Sequence, residues 1–353
     1  MTDLKNLLKH IAEEHRSLTR AEARAALSAM LAATENDPAA DLEIAALLTA
    51  LATRGETAEE LTGFAEAMRA RAQPVPLTEE ERAQLVDTCG TGGDGLGTFN
   101  ISTGAALVAA AAGARVAKHG NRGVTSRCGS ADVLEALGIA ATLEPAQAAV
   151  CLRATGFTFL YAPLLHPSMK RVQLLRRTLG IRTVFNLAGP LTNPAGARAQ
   201  VMGVFASSRL PLVAKAMAKL GVRHAFVVHG CDGLDELTLS GESEVAEIRE
   251  RNIRLFRMDP ESAGLDRAPL EMVQGDGTAA GSAAILEKIF AGERGPRREI
   301  VLLNAAAALV AAGIAADFRE GVVRGAEAID SGATQKTVES LRKFGKELMV
   351  ARS

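Results

Sequence analysis

The sequence is poor in aromatic residues and has no long apolar run. Of its 353 residues, 3% are aromatic, with no tryptophan and a single tyrosine, Tyr161. This scarcity argues against a surface that stacks nucleic-acid bases. The apolar stretches at 104–114 and 305–316 fall short of the ~20 residues that a membrane-spanning helix needs. Neither base stacking nor membrane insertion is therefore expected.

The basic and acidic residues are almost equal in number. The chain has 40 basic and 41 acidic residues and a formal net charge of −1, so neither a nucleic acid nor a membrane is expected as a partner. The four cysteines form no C-x-x-C pair, which favours a reducing compartment over a disulfide framework or a zinc site. The N-terminal segment is charged and amphipathic, without an apolar signal core. We therefore expect a cytoplasmic protein.

The N-terminal part of the chain shows helical patterns only. Apolar residues recur at helical spacing over Leu4–Ile11. Two helix starts match the capping-box pattern, Thr19 with Glu22 and Thr57 with Glu60. Pro74 and Pro76 then interrupt the pattern. We predict a small helical unit over residues 1–73, followed by a linker.

After the linker, strand and helix patterns alternate. Strands are predicted at 85–87, 114–117, 157–161, 201–205 and 225–228, with helices between them. The last third is less regular, with strands near 237–256 and four helices near 281–290, 304–314, 318–331 and 336–350. Such alternation predicts an α/β fold with a mostly parallel sheet covered by helices on both faces. Open sheets of this kind bind ligands at the carboxyl ends of their strands.

A glycine-rich run lies between the first predicted strand and the helix after it. Residues 90–97 contain five glycines and are followed at once by Asn100–Thr103. Glycines let backbone N–H groups approach an anion closely, and a helix N-terminus favours negative charge. The run therefore predicts a cradle for phosphate or pyrophosphate, with a flexible surface turn as the plainer alternative.

Two well-known nucleotide motifs fit this run poorly. Gly90-x-Gly92-x-x-Gly95 formally matches the dinucleotide fingerprint. However, the second strand ends at Lys118 where that fingerprint requires an acidic residue for the ribose, and the loop continues beyond Gly97 where it should be helical. No Lys-Ser/Thr pair follows the glycines, so the run is not a Walker A loop.

A second polar loop is predicted beside the first. Residues 118–122 supply two cations, an imidazole and an amide, and residues 125–130 add hydroxyls and another cation. Alone, such a segment is more often a solvated turn. Paired with the glycine-rich run, it favours a ligand that carries two separate phosphate groups.

Asp235 and Glu236 form an adjacent carboxylate pair in the loop after the strand that ends at His229-Gly230. A solvated loop pair is the plain interpretation. Because Mg²⁺ prefers one or two carboxylates together with phosphate oxygens, the pair is also a candidate magnesium site, with the Ser102 hydroxyl as a further ligand.

A basic helix follows His166-Pro167. Its neighbours Arg176 and Arg177 point about 100° apart, so at most one of them faces the cleft. A guanidinium there would suit a carboxylate, although a solvated basic face is the alternative. The turn-rich segment 182–194 is interpreted as a return connection between the helical unit and the sheet.

Together these motifs resemble the anthranilate phosphoribosyltransferase family. The resemblance covers nearly the whole chain, and its most specific elements are residues 90–95, 100–103, 118–122, 166–167 and 182–194, in that order. It implies a small helical domain, residues 1–73 with about 166–187, hinged to a larger α/β domain, residues 80–165 with 188–353. It also implies a homodimer formed through the helical domain.

The resemblance assigns roles by position. For phosphoribosyl pyrophosphate it implies Gly90, Gly93, Asp94, Thr98, Asn100, Ile101, Ser102, Thr103, Lys118, His119, Gly120, Asn121, Arg122, Gly123, Val124, Thr125, Ser126 and Ser130. For anthranilate it implies Gly90, Asn121 and Arg176. For the metal it implies Ser102, Asp235 and Glu236, with two Mg²⁺ per subunit. Mild departures occur at 123–125 and at Cys128, where serine is common in the family.

The reaction implied by the resemblance is transfer of the phosphoribosyl group to the amine of anthranilate, with release of pyrophosphate, in tryptophan biosynthesis. No general base is certain, and His119 is the nearest candidate. The rival interpretations are a nucleoside phosphorylase of related fold, whose lysine-histidine-serine-glycine signature is absent, and a non-catalytic relative that binds nucleic acid, which the charge balance disfavours. A dehydrogenase comes third.

Overall fold

The computed structural model describes residues 3–33, 37–123 and 128–350. The helical unit begins with α1 (Leu4–Ala12), α2 (Arg20–Ala32), α3 (Pro38–Arg54) and α4 (Ala58–Arg69). Both predicted capping boxes are present, at the starts of α2 and α4. The buried carboxylate of Glu60 also accepts a hydrogen bond from the Leu18 backbone, 2.7 Å away, and so ties α4 to the start of α2.

The remaining elements alternate as predicted. They are α5 (Glu79–Ala83), β1 (Leu85–Asp87), α6 (Ile101–Ala111), β2 (Arg115–Gly120), α7 (Ser130–Ala136), α8 (Pro145–Thr155), β3 (Phe157–Tyr161), α9 (Ala162–Leu165), α10 (Lys170–Leu179), α11 (Val184–Ala188), β4 (Ala199–Gly203), α12 (Leu210–Lys219), β5 (His224–Gly230), β6 (Ser243–Arg249), β7 (Asn252–Met258), α13 (Ala279–Phe290), α14 (Pro296–Ala312), α15 (Phe318–Asp330) and α16 (Ala333–Val350). Short 3₁₀ turns join several of them.

The seven strands form one sheet in the order β3-β2-β1-β4-β5-β6-β7. The first five are parallel, and β6 and β7 are antiparallel additions at one edge. The predicted fold class, a helical unit attached to a mostly parallel α/β sheet, is therefore confirmed. The strand order reverses at β1, which lies between β2 and β4, and such a switch point is where open sheets bind their ligands.

Two apolar clusters cover the two faces of the sheet. The first contains buried residues of α6, α7, α8 and α13–α16. The second joins the N-terminal helices to Met202, Val204, Ala225 and Val227 of the sheet region through α12. Residues of α10 and α11, such as Val172 and Phe185, lie in this second cluster. The proposed division into two domains stays a prediction.

Several predicted boundaries were wrong. Strand β4, predicted at 201–205, spans Ala199–Gly203, and β5, predicted at 225–228, spans His224–Gly230. Strand β2 continues two residues past Lys118 to Gly120, so Lys118 and His119 lie on the strand and point to opposite faces of the sheet. Helix α14 starts at Pro296, eight residues before the predicted start at 304. Among the described residues, no helix is long and apolar enough to cross a membrane.

Candidate active site

The glycine-rich loop connects β1 to α6 and bends over the switch point. Gly92, Gly93, Gly95 and Gly97 have φ values between +62° and +82°, a backbone conformation that side chains with a Cβ rarely adopt. A Cβ at Gly90 would lie 3.1 Å from the carbonyl oxygen of Gly203 at the end of β4. The loop therefore needs its glycines both for its turns and for its close approach to β4.

Hydrogen bonds hold the loop to β4. The backbone N–H of Thr91 donates to the Gly203 carbonyl at 2.9 Å, and its hydroxyl accepts from the Phe205 backbone at 3.1 Å. A small cavity opens beneath this bridge, between Gly90, Ser102 and Glu236. The cleft between β1 and β4 is thus lined by the predicted phosphate loop on one side and a carboxylate on the other.

Helix α6 starts under the loop. Asn100 precedes its first turn without a side-chain cap, and the hydroxyl of Thr103, in that turn, has no hydrogen-bond partner among the described residues. Ile101 is buried, whereas Ser102 lines the small cavity together with Glu236. The uncapped N-terminus is suited to an anion.

Lys118 lies beneath the loop with 1% of its surface exposed. Its Nζ donates to the Thr88 carbonyl at 2.8 Å, to the Thr88 hydroxyl at 3.0 Å and to the Ser102 hydroxyl at 3.3 Å. Burial lowers the pKa of Lys118, against the attraction of neighbouring acidic groups that include Glu236. The ammonium therefore donates only to protein oxygens, and the Ser102 hydroxyl lies between it and the cleft.

Three carboxylates meet on the other side of the cleft. Asp235 and Glu236 follow β5, and the Asp235 backbone N–H donates to the Asp94 carboxylate at 3.4 Å. Burial first, and then the charges of Asp94 and Glu236, raise the pKa of Asp235 well above its usual value. Burial likewise raises the pKa of Glu236 to about 7, opposed by Lys118 and by the hydrogen bonds from Ser102. Sequence reasoning assigned Asp94 to phosphoribosyl pyrophosphate and missed its contact with this pair.

Gly203 allows this arrangement. A Cβ at Gly203 would overlap the backbone carbonyl of Asp235. The end of β4 therefore approaches the carboxylate loop more closely than any other residue type permits. Carboxylates that repel one another in a half-buried cleft, beside a serine hydroxyl, are the oxygen ligands that Mg²⁺ prefers, and a divalent cation would relieve their repulsion.

Another group of potential ligands is less suitable. Single ligand atoms of Asp87, Cys89 and His119 lie within 4.8 Å of one another. However, the two Asp87 oxygens accept hydrogen bonds from the His119 backbone at 3.0 Å and from the Asn193 side chain at 2.8 Å. Burial also raises the pKa of the Cys89 thiol, which keeps it protonated. This group supports the end of β1 and β2 and is not a metal site.

His119 and His166 form a buried pair of imidazoles. Their ring centroids are 5.2 Å apart, and none of their four nitrogens has a hydrogen-bond partner of good geometry among the described residues. Burial lowers the pKa of His119 to about 3 and that of His166 to about 4. Both rings are neutral at pH 7, and their nitrogens can donate hydrogen bonds to a polar ligand or accept them from it.

The segment after His119 runs along the edge of the site. A Cβ at Gly120 would lie 2.8 Å from the Phe159 ring. The backbone carbonyl of Asn121 accepts from Ala131, next to Ser130 at the start of α7. Val124, Thr125 and Ser126 were predicted to bind phosphate and lie outside the described residues.

Arg122 is paired with carboxylates and does not point freely at the cleft. Its guanidinium donates to Asp132 at 3.1 Å and to Glu135 at 2.6 Å and 2.7 Å. The Gly123 backbone donates to Asp132 at 2.9 Å. The predicted phosphate residue Thr98 pairs in an isolated bridge with Gln274.

The structure distinguishes the two arginines of α10. Arg177 is exposed, whereas Arg176 is half-buried over the Phe185 ring, 5.5 Å from its centroid. Arg176 donates to the Asn186 side chain at 3.3 Å, and its Nε has no partner among the described residues. Burial lowers the pKa of Arg176, and no described carboxylate lies within ion-pair distance of it. Of the two arginines, Arg176 is thus the one whose half-buried guanidinium is suited to an anionic ligand.

Sequence reasoning missed two contacts made by the return segment. Arg182 donates to the Gly93 carbonyl at 2.6 Å and stacks on Phe205, 4.2 Å from its centroid. Asn193 donates to Asp87 and, at 2.8 Å, to the Ala117 carbonyl. Segment 182–194 is therefore a support for the site as well as a connection, and its polar residues were the only signal of this in the sequence.

Comparisons with known proteins agree with this geometry. The model of a glycosyl transferase family helical bundle domain matches residues 5–72, and the model of a glycosyl transferase family a/b domain matches residues 82–335. An anthranilate phosphoribosyltransferase from Symbiobacterium thermophilum is 50% identical over 341 residues, 97% of each chain. The chain belongs to the anthranilate phosphoribosyltransferase family. It is therefore an enzyme of the glycosyltransferase type.

Solved structures of the family have the same fold. A crystal structure of anthranilate phosphoribosyltransferase from Thermus thermophilus is similar with a TM-score of 0.88 and 41% identity, over 98% of this chain and 99% of that one. The enzyme from Saccharomyces cerevisiae in complex with phosphoribosyl pyrophosphate and Mg is similar with a TM-score of 0.87 and 28% identity, over 98% of both chains.

Proposed function

We propose that this enzyme transfers the phosphoribosyl group of 5-phosphoribosyl 1-pyrophosphate to the amine of anthranilate. The products are N-(5-phosphoribosyl)anthranilate and pyrophosphate, and the step belongs to tryptophan biosynthesis. The observation that carries the proposal is the contact of the glycine-rich loop, through Asp94, with the Asp235–Glu236 pair at the switch point of the sheet. The strong similarity to relatives of that name supports it.

The cleft suits pyrophosphate and magnesium together. The loop at 90–97 and the N-terminus of α6 offer backbone N–H groups to the phosphates. Asp235, Glu236 and the Ser102 hydroxyl would hold Mg²⁺, and Asp94 adds a further carboxylate, which is enough oxygen for two ions per subunit. Bound Mg²⁺ would stabilise the charge of the departing pyrophosphate.

Arg176 is the proposed partner of the anthranilate carboxylate. Arg176 presents a half-buried guanidinium without a carboxylate of its own, and such a cation binds a carboxylate well. Asn121 and Gly90 complete the proposed pocket. Binding the carboxylate at Arg176 would orient the ring so that its amine faces C1 of the ribose.

The chemical step breaks the bond between C1 and the pyrophosphate oxygen and forms a bond between C1 and the amine nitrogen, which then loses a proton to the released pyrophosphate or to water. Positive charge develops at C1, as in glycoside hydrolysis. An aromatic amine is neutral at pH 7 and attacks without prior deprotonation. His119, with a pKa of about 3, is a weak base, so we propose that it accepts a hydrogen bond from the amine and positions it.

We further propose a homodimer formed through the helical unit. Apolar side chains of that unit are exposed, among them Leu42 (72%) and Leu174 (58%). Pairing of this surface between two copies would cover them. We also propose a reducing, cytoplasmic location, since all four cysteines are free thiols.

A direct assay tests the activity. Anthranilate fluorescence should decrease when the enzyme, phosphoribosyl pyrophosphate and Mg²⁺ are all present, with one pyrophosphate released for each anthranilate consumed. Omission of any component should abolish the change. Phosphate-dependent cleavage of nucleosides, without consumption of anthranilate, would instead indicate the phosphorylase alternative.

A further inference from the structure

A second cavity lies away from the active site. It has a volume of about 370 Å³ and is lined by Arg69, Ala72, Pro74, Ala197, Arg198 and Val222. Arg198 directly precedes β4, and Val222 lies just before β5. The cavity is therefore at the amino ends of the strands, whereas the active site is at their carboxyl ends. The five residues of β4 place the two sites about 15 Å apart.

Arg69, the last residue of α4, carries an uncompensated charge in this cavity. Its Nε donates to the Leu191 carbonyl at 2.7 Å. Among the residues that the structure describes, neither of its terminal nitrogens has a hydrogen-bond partner, and no carboxylate lies within 4.0 Å. Burial lowers the pKa of Arg69, and the charge of Glu66 offsets this only in part. Arg69 is half-buried, and the two terminal nitrogens of its guanidinium are open to an anion in the cavity.

The other arginine of the cavity does not share this property. Arg198 donates to the Glu79 carboxylate at 2.7 Å and is exposed. Among the described residues, no acidic side chain lines the cavity, so an anion beside Arg69 meets no repulsion there. The planar edge of a guanidinium, with two parallel N–H donors, matches a carboxylate.

The rest of the lining combines polar and apolar surface, and its apolar part faces Arg69. Ala72, Pro74, Leu220 and Val222 face the same space as Arg69. A volume of about 370 Å³ is at the lower end of the range for small-molecule sites. We infer that this cavity binds a small organic carboxylate with an apolar body, with its carboxylate at Arg69. Such a ligand would touch the helical unit, the linker and the sheet at once, and so stabilise their junction.

Binding of hexanoate, measured by isothermal titration calorimetry, tests this inference. The expected result is saturable 1:1 binding to the full chain and an increase in its melting temperature, with no comparable binding of the neutral analogue hexanamide. Affinity should fall at least about tenfold in Arg69→Gln, since a charge-assisted pair is lost. Arg71→Gln is the matched control, because Arg71 is exposed, does not line the cavity and bonds the Ala67 carbonyl of α4. Equal affinities of wild type and Arg69→Gln would overturn the inference.

Three further measurements distinguish this cavity from other binding sites. Ala72→Leu fills the cavity while Arg69 stays in place, so it should also abolish binding even if Arg69→Gln folds poorly. Saturating phosphoribosyl pyrophosphate with Mg²⁺ should leave hexanoate affinity unchanged, and competition would locate the ligand in the active site and refute the second site. Inorganic phosphate should bind much more weakly, and an equal affinity would refute the role of the apolar lining.

Discussion

The backbone N–H of Asp235 donates to the carboxylate of Asp94, although the two residues are separated by 141 positions in the chain. The contact joins the glycine-rich loop after β1 to the acidic loop after β5. It also adds a third carboxylate to the pair that the sequence suggested as a metal site. The phosphate-binding loop and the metal-binding loop are therefore one connected structure.

Replacing Asp94 tests this connection. Asp94→Asn removes one charge from the cluster, so the Mg²⁺ concentration for half-maximal activity should rise about tenfold. Asp266→Asn is the control, because Asp266 is exposed and far along the chain from the cluster. A magnesium titration of the steady-state rate measures the effect, and identical curves for all three proteins would separate Asp94 from the metal site.

Neutralising the adjacent pair should have a larger effect. In Asp235→Asn with Glu236→Gln, two oxygen donors lose their charge, and activity should fall together with Mg²⁺ affinity. Circular dichroism should show an unchanged fold, since both substitutions relieve repulsion. If the magnesium dependence of this double variant matched that of wild type, these residues would not be metal ligands.

The two arginines of α10 provide a matched comparison. Arg176→Ala should raise the KM for anthranilate by roughly tenfold or more, because a charge-assisted hydrogen bond to the carboxylate is lost. The KM for phosphoribosyl pyrophosphate should change little. Arg177→Ala should leave both constants unchanged, since Arg177 is exposed. Equal increases in the two KM values would refute the carboxylate-binding role of Arg176.

The approach of β4 to the acidic loop can be tested at Gly203. A Cβ there overlaps the Asp235 carbonyl, so Gly203→Ala must displace the loop and should cost about 1–3 kcal/mol of unfolding free energy. Activity should fall as well, because Asp235 moves with its backbone. Gly189→Ala, where a Cβ meets nothing within 4 Å, should be close to wild type in urea denaturation. Similar stability of both variants would contradict the crowding at Gly203.

The raised pKa of Glu236 predicts a pH effect on stability without metal. The folded carboxyl has a pKa of about 7 against 4.5 in the unfolded chain, so the folded state binds the extra proton between these values. Its contribution to stability is present at low pH and is lost as the pH rises from 4.5 through 7. The buried histidines His119 and His166, whose pKa values are lowered, act in the opposite direction over part of this range.

The measurement is therefore a difference between two proteins. The melting temperature of metal-free wild type minus that of Glu236→Gln should decrease from about pH 5 to about pH 8. Mg²⁺ should raise the melting temperature of wild type more at the higher pH than at the lower, because it binds the ionised carboxylate. A difference that does not change with pH would show that Glu236 ionises normally.

Local signals in the sequence predicted much of the fold. Strands β1 and β3 have the predicted bounds, because a short apolar run flanked by turn residues is a local pattern. The end of β2 was misplaced since Lys118 and His119 are polar residues that are buried within a strand. Hydrophobic patterning cannot recognise such positions.

The parts of the site that could not be predicted are long-range contacts. Asp94, after β1, meets Asp235, after β5, because both strands border β4 in the sheet. Arg182, in the segment that leads into β4, meets Gly93 in the loop after β1. The order of strands in a sheet depends on packing among distant segments, which no local window of sequence contains. The residue types indicated that these side chains could form polar contacts. The order of the strands determined which residues they contact.

The ammonium of Lys118 is bonded on all sides by Thr88 and Ser102. Its position is consequently set when the chain folds and does not depend on the arrival of a phosphate. The Lys118 ammonium is therefore already in place beneath the cleft. No side chain has to reorient when negative charge grows on the departing pyrophosphate. A long, flexible lysine on the surface would have to be ordered again in every turnover.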